Sequence, residues 1–143
     1  MDDLYREYIL EHYRNPLNYG SMEDPTFSAD GQNPTCGDEL HVAVEVDEAT
    51  QRITKVRFTG QGCAISQAAM SILSEEIIGK QLDEVAAMGR EDIVELLGID
   101  LTPVRLKCAL LGLVVVKMGM HEHAGTEAPA GWEGVDEISW GSA

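Results

Sequence analysis

Every cysteine of the chain lies in a short stretch whose neighbours suit metal or sulfur chemistry. The first, Asn33-Pro34-Thr35-Cys36-Gly37-Asp38, sets a thiol two positions from a carboxylate, with a proline and a glycine to make the turn tight. Gly37 lets the backbone approach a bound ion, and Asp38 adds a hard anionic donor to a soft one. The other stretches are Gly60-Gln61-Gly62-Cys63-Ala64 and Arg105-Leu106-Lys107-Cys108-Ala109. Arg105 and Lys107 place positive charge beside Cys108, which favours its thiolate. Lys107 itself, protonated at neutral pH, is no metal ligand.

The intervals between the cysteines are far longer than the C-x-x-C pairs of zinc ribbons and fingers, so spacing alone is a weak signal. Buried cysteines serving as small apolar residues would give the same count. Position is more telling. Each cysteine is expected at a strand or helix boundary, where backbone N–H groups and the helix dipole favour a thiolate. Three thiolates and the Asp38 carboxylate would fill a tetrahedral zinc site, and the same set suits an iron–sulfur cluster.

The elements that must position these groups follow from periodicity. Leu4, Tyr5, Tyr8, Ile9 and Tyr13 recur at helical spacing over residues 3–14, with Asp2 or Asp3 as cap and Asn15-Pro16 as stop. His12 lies beside that stripe and has no second ligand at metal spacing, so it is left out of the site. Residues 18–33 are rich in Gly, Ser, Asp and Asn and read as loop, with at most a short strand near Thr26 to Ala29. Leu40, Val42, Val44 and Val46 alternate with polar positions, and the pattern resumes at Ile53, Val56 and Phe58 after a turn at Glu48 to Gln51, which predicts an antiparallel hairpin. Gly60-Gln61-Gly62 then brings Cys63 to the start of a helix over Ala64 to Ile78, ended by Gly79.

Two short helices flank Gly89 and end at Gly98. Pro103 opens a last helix with Leu106, Leu110, Leu113 and Val114 on one face and Cys108 in its first two turns. Residues 1–120 are expected to form one domain, and residues 121–143, with isolated Trp132, Ile138 and Trp140, a weakly ordered tail. His121 and His123 in that tail are assigned to solvent.

Composition narrows the function classes. The chain has 143 residues, 44 % of them hydrophobic, enough for one core. Its net charge of −15 opposes phosphate backbones, so nucleic acid is not expected as a partner. The apolar run Leu110 to Val116 is too short to span a bilayer, so no membrane association is expected. An odd number of cysteines and no basic-then-apolar leader point to reduced thiols and a cytoplasmic location.

The order N-P-x-C-G-D, G-x-G-C-A-I-S and R-L-K-C-A, behind an N-terminal L-Y-R-E-Y-I-L-E-H-Y-R-N-P, closely resembles the iron–sulfur cluster assembly scaffold family of IscU and SufU over about residues 3 to 118. The resemblance implies an α+β fold, a three-stranded antiparallel sheet with helices packed on one face. It implies Cys36, Cys63 and Cys108 as ligands of zinc or a 2Fe–2S cluster, and Asp38 as the carboxylate that ligates zinc or tunes cluster lability. Sulfur would come from a cysteine desulfurase of the SufS or IscS type, with Cys108 or Cys36 as acceptor, and pass to a downstream iron–sulfur acceptor or a SufB-type scaffold.

Two features separate the chain from its subtypes. Lys107 stands where IscU-type members carry histidine, as in SufU-type members, yet the insertion usual in SufU between the second and third cysteines is missing. Leu101-Thr102-Pro103-Val104-Arg105 resembles the L-P-P-V-K stretch that IscU proteins offer to a chaperone, with two substitutions. Three readings follow: a scaffold and sulfur acceptor, a zinc-dependent sulfurtransferase that activates its desulfurase without carrying a cluster, and a structural zinc module for interaction.

Overall fold

The computed structural model describes residues 3–33 and 37–125. The chain runs α1 (Asp3–Arg14), β1 (Phe27–Asn33), β2 (Asp38–Asp47), β3 (Arg52–Gln61), α2 (Ala64–Ile77), α3 (Leu82–Ala86), α4 (Arg90–Leu97) and α5 (Pro103–Ala124). The strands form one antiparallel sheet in the order β1-β2-β3. α5 packs on β1 and β2, α2 packs on β3, and the two helices meet each other with α1 outside α2. This is the expected α+β architecture.

The hairpin forms as its alternation dictates. Leu40, Val42, Val44 and Val46 of β2 and Ile53, Val56 and Phe58 of β3 are all buried toward the helices. Its turn closes with Gln51 N–H donating to Asp47 O at 2.7 Å and Thr50 Oγ1 donating to Asp47 Oδ2 at 2.7 Å.

β1 is longer than expected. Asp30 to Asn33, polar enough to read as loop, continue the ladder in register with β2, from Asp30 opposite His41 to Asn33 opposite Asp38. Gly31 misled the reading because its reason is tertiary. A Cβ there would collide with the Val115 side chain, so the missing side chain lets α5 lie close on the strand.

The helices are covered more fully than one-sided stripes predict. Ten residues of α2 are buried, among them Ser71 and Ser74, because α1 and the loop after it cover the face turned from the sheet. Ser71 Oγ accepts from Leu17 N–H at 2.8 Å and lies 2.7 Å from His12 Nδ1, so its burial leaves no unpaired hydroxyl. In α1 only part of the predicted stripe is inside. Ile9 is 4 % exposed, whereas Tyr8 and Tyr13 are 42 % and 44 % exposed at the rim. The side chains of Leu4 and Tyr5 lie outside the description.

In α5 the whole run Cys108 to Lys117 is buried. Lys117 donates from Nζ to Met88 O in the link between α3 and α4, and burial pushes its pKa down, against the opposing pull of Asp92. α5 also runs four residues past the expected boundary at residue 120, ending at Gly125 with φ 76°. His123, assigned to a tail, instead stacks on Phe27 of β1 with ring centroids 5.5 Å apart. The rest of the expected tail, residues 126–143, lies outside the described residues. Among the described residues no helix is long and apolar enough to cross a membrane.

Candidate metal centre

Three elements end or begin at one place. Asp38 opens β2, Cys63 caps α2, and Cys108 sits in the second turn of α5. One ligand atom from each, the Asp38 carboxylate oxygen and the two sulfurs, lies within 4.8 Å of the others. Cys36 lies outside the described residues. The strands on either side of it end at Asn33 and begin at Asp38, both at this centre.

Local sequence explains each placement. Cys63 takes the N-cap conformation, φ −73° and ψ 160°, and its Sγ accepts from Ser66 N–H at 3.5 Å. A thiol in this position lies at the positive end of the helix dipole. Asp38 is 1 % exposed, and its hydrogen-bond partners among the described residues both belong to Cys63. Oδ1 accepts from Cys63 N–H at 2.7 Å and Oδ2 lies 3.8 Å from Cys63 Sγ. That approach depends on Gly62, whose φ is +138° and whose Cβ, if present, would occupy the space of the Asp38 carboxylate.

Cys108 is fully buried. It is placed by the start of α5, where Thr102 Oγ1 accepts from Arg105 N–H at 3.3 Å and Pro103 takes the first helical position. Its thiol points to Val104 O at 3.5 Å, and Asn33 Nδ2 donates to its sulfur at 3.8 Å. Of the two cations expected to modulate it, Arg105 is exposed and Lys107 half-buried.

The donor set fits the metals proposed from sequence. Two sulfurs and a carboxylate oxygen suit zinc or iron with sulfide, and an all-oxygen cation such as calcium or magnesium would be poorly served. A buried carboxylate beside two ionisable thiols also concentrates negative charge where water cannot screen it, and a cation removes that cost. Asn33 was missed as a member of this centre. The sequence signal was present, a polar side chain directly before Pro34 inside the first cysteine stretch, but nothing local says that it turns inward.

Comparison with known proteins agrees with the fold and with the motifs. Residues 4–129 match the family model described as the NifU-like N terminal domain. The zinc-dependent sulfurtransferase SufU of Bacillus subtilis is 32 % identical over 142 residues, covering 87 % of this chain and 95 % of that protein. Those 142 positions draw on only 87 % of this chain, so the Bacillus protein has residues with no counterpart here. The iron–sulfur cluster assembly scaffold protein IscU of Escherichia coli is 31 % identical over 122 residues, covering 83 % of this chain and 93 % of that protein. Among solved structures, FiSufU of the thermophile Fervidobacterium islandicum AW-1, a candidate scaffold for the SUF system, superposes with a TM-score of 0.68 at 27 % identity. It covers 80 % of this chain and 94 % of its own.

Proposed function

The chain belongs to the family of NifU-like N-terminal domains, and from that premise we propose that it accepts sulfur from a cysteine desulfurase and serves as a scaffold for iron–sulfur cluster assembly. The observation that carries the reading is the convergence of Asp38, Cys63 and Cys108 within 4.8 Å from three separate elements. Cys36, which falls between Asn33 and Gly37 in sequence, completes the proposed ligand set. A zinc ion held by these residues would withdraw charge from the sulfurs and keep them as thiolates. The cluster, by contrast, is cargo that is assembled and passed on.

The chain's own part in sulfur transfer is thiolate chemistry. The sulfane sulfur arrives at the end of a persulfide on the desulfurase cysteine. A thiolate here attacks that sulfur, a new S–S bond forms, the donor's S–S bond breaks, and the desulfurase cysteine leaves as a thiolate. Charge and oxidation state balance across the exchange. Cys108 and Cys36 are the proposed acceptors. Cys108 has no exposed surface, so acceptance there requires the mouth of the centre to open, while half-buried Cys63 caps α2 and anchors the site.

The test is metal and sulfide analysis after anaerobic purification of wild type and of Cys36→Ser, Cys63→Ser and Cys108→Ser variants. Stoichiometric metal that survives loss of all three thiols refutes the reading. A second reading, a zinc-dependent sulfurtransferase that never carries a cluster, is favoured by Lys107 before the third cysteine and by likeness to the Bacillus protein of that description. Reconstitution with iron, cysteine and desulfurase separates the two. A stable visible chromophore supports the scaffold, and stimulated desulfurase turnover with zinc retained supports the transferase.

A further inference from the structure

Asn33 and Asp38 face each other as the last cross-strand pair of β1 and β2, and both are buried, at 0 % and 1 % exposure. Each reaches one thiol: Asp38 meets Cys63, and Asn33 Nδ2 donates to Cys108 Sγ at 3.8 Å. Stability does not explain the carboxamide. Asn33 Oδ1 is buried with no hydrogen-bond partner among the described residues, an omission that destabilises the fold and that an apolar side chain of the same shape would avoid. Pro34, next in sequence, restricts Asn33 to extended backbone and so limits where its side chain can turn.

The hydrogen bonds around Cys108 show what the carboxamide does. As a thiol, Cys108 donates to Val104 O at 3.5 Å and accepts from Asn33. When a metal takes the place of the thiol proton, Val104 O keeps its helical partner in α5 and loses only the thiol, but the Asn33 N–H still points at the sulfur and now bonds to an anion, a stronger contact. The opposite orientation of the amide would set oxygen against a thiolate.

We propose that Asn33 is a positioning residue for Cys108: its carboxamide N–H holds the sulfur in the ligating orientation and stabilises it as a metal-bound thiolate. The inference rests on the metal-site reading above and adds a residue outside the ligand set. Groups that hydrogen-bond a ligand in this way typically contribute 10–100-fold to metal affinity.

The experiment uses cobalt(II) as the probe on the full chain, with affinity from chelator competition, the sulfur-to-cobalt charge-transfer band, and the melting temperature of the metal-free protein. Asn33→Leu is expected to weaken cobalt binding about tenfold or more and to shift the band, with metal-free melting unchanged or raised because the unpaired oxygen is gone. Asn33→Ala, which removes the donor without adding bulk, gives the same reading should the leucine variant not fold. Unchanged affinity and band overturn the proposal. So does a loss of affinity accompanied by a lower metal-free melting temperature in both variants, which would make Asn33 a packing residue. A wild-type protein with no charge-transfer band, or a band that survives Cys63→Ser with Cys108→Ser, overturns the metal-site reading and this inference with it.

Discussion

Gly62 offers a way to disturb the centre without touching a ligand. Its φ of +138° disfavours any side chain, and a Cβ would intrude on the Asp38 carboxylate and main chain. In Gly62→Ala the backbone strain costs about 1–3 kcal/mol, and displacing Asp38 from Cys63 N–H sacrifices a charge-assisted bond of about 1.5–3 kcal/mol. The sum, about 2.5–6 kcal/mol, corresponds to a melting temperature lower by about 8–20 °C for a domain of this size. Gly20 supplies the control. Its φ is +139°, almost the same, yet nothing lies within 4 Å of its Cβ position. Gly20→Ala therefore carries the strain alone, about 1–3 kcal/mol, and leaves the metal site intact. Calorimetry of the metal-free variants gives the first comparison and zinc competition the second, where only Gly62→Ala should lose about tenfold or more in affinity. Equal melting temperatures and equal zinc affinities for the two variants would refute the assignment of Gly62 as the residue that admits Asp38 to Cys63.

Three other outcomes are expected. Gly31→Ala should destabilise the protein by about 1–3 kcal/mol because its Cβ meets Val115, and adding Val115→Ala should recover part of that loss, read as a non-additive double-mutant cycle in denaturant melts. Burial lowers the His12 pKa below its usual value, with Glu11 and Glu75 opposing, so the unfolded chain binds more protons in the window just below pH 6.5. Stability should fall as pH drops through that window, and His12→Asn should flatten this part of the pH profile of the melting temperature. Removing metal with a chelator should lower the melting temperature through lost binding energy while leaving the circular dichroism spectrum of the folded state, because the apolar core between sheet and helices is assembled without the centre. Collapse of the spectrum on chelation would instead favour a structural zinc module.

The local grammar of the chain was sufficient for much of the fold. Alternation at Leu40 to Val46 and Ile53 to Phe58 determines the hairpin, Pro103 and Gly98 delimit helices, and Gly60 to Gly62 puts Cys63 at a helix start, since these signals act over a few residues. Motif order alone also pointed to the family. What periodicity could not reach are the contacts that depend on elements distant in sequence. The continuation of β1 to Asn33 is legible only once Gly31 is seen beneath Val115, and the burial of Ser71 only once α1 lies over α2. The meeting of Asp38, Cys63 and Cys108 is decided by sheet register and by the packing of α5 against the sheet, because no local rule relates the end of a strand to the second turn of a helix seventy residues later. The sequence by itself singled out Asp38, Cys63 and Cys108 as candidate ligands and put both of these cysteines near helix starts. The tertiary structure decided that those ends coincide, and that Asn33 faces inward beside them.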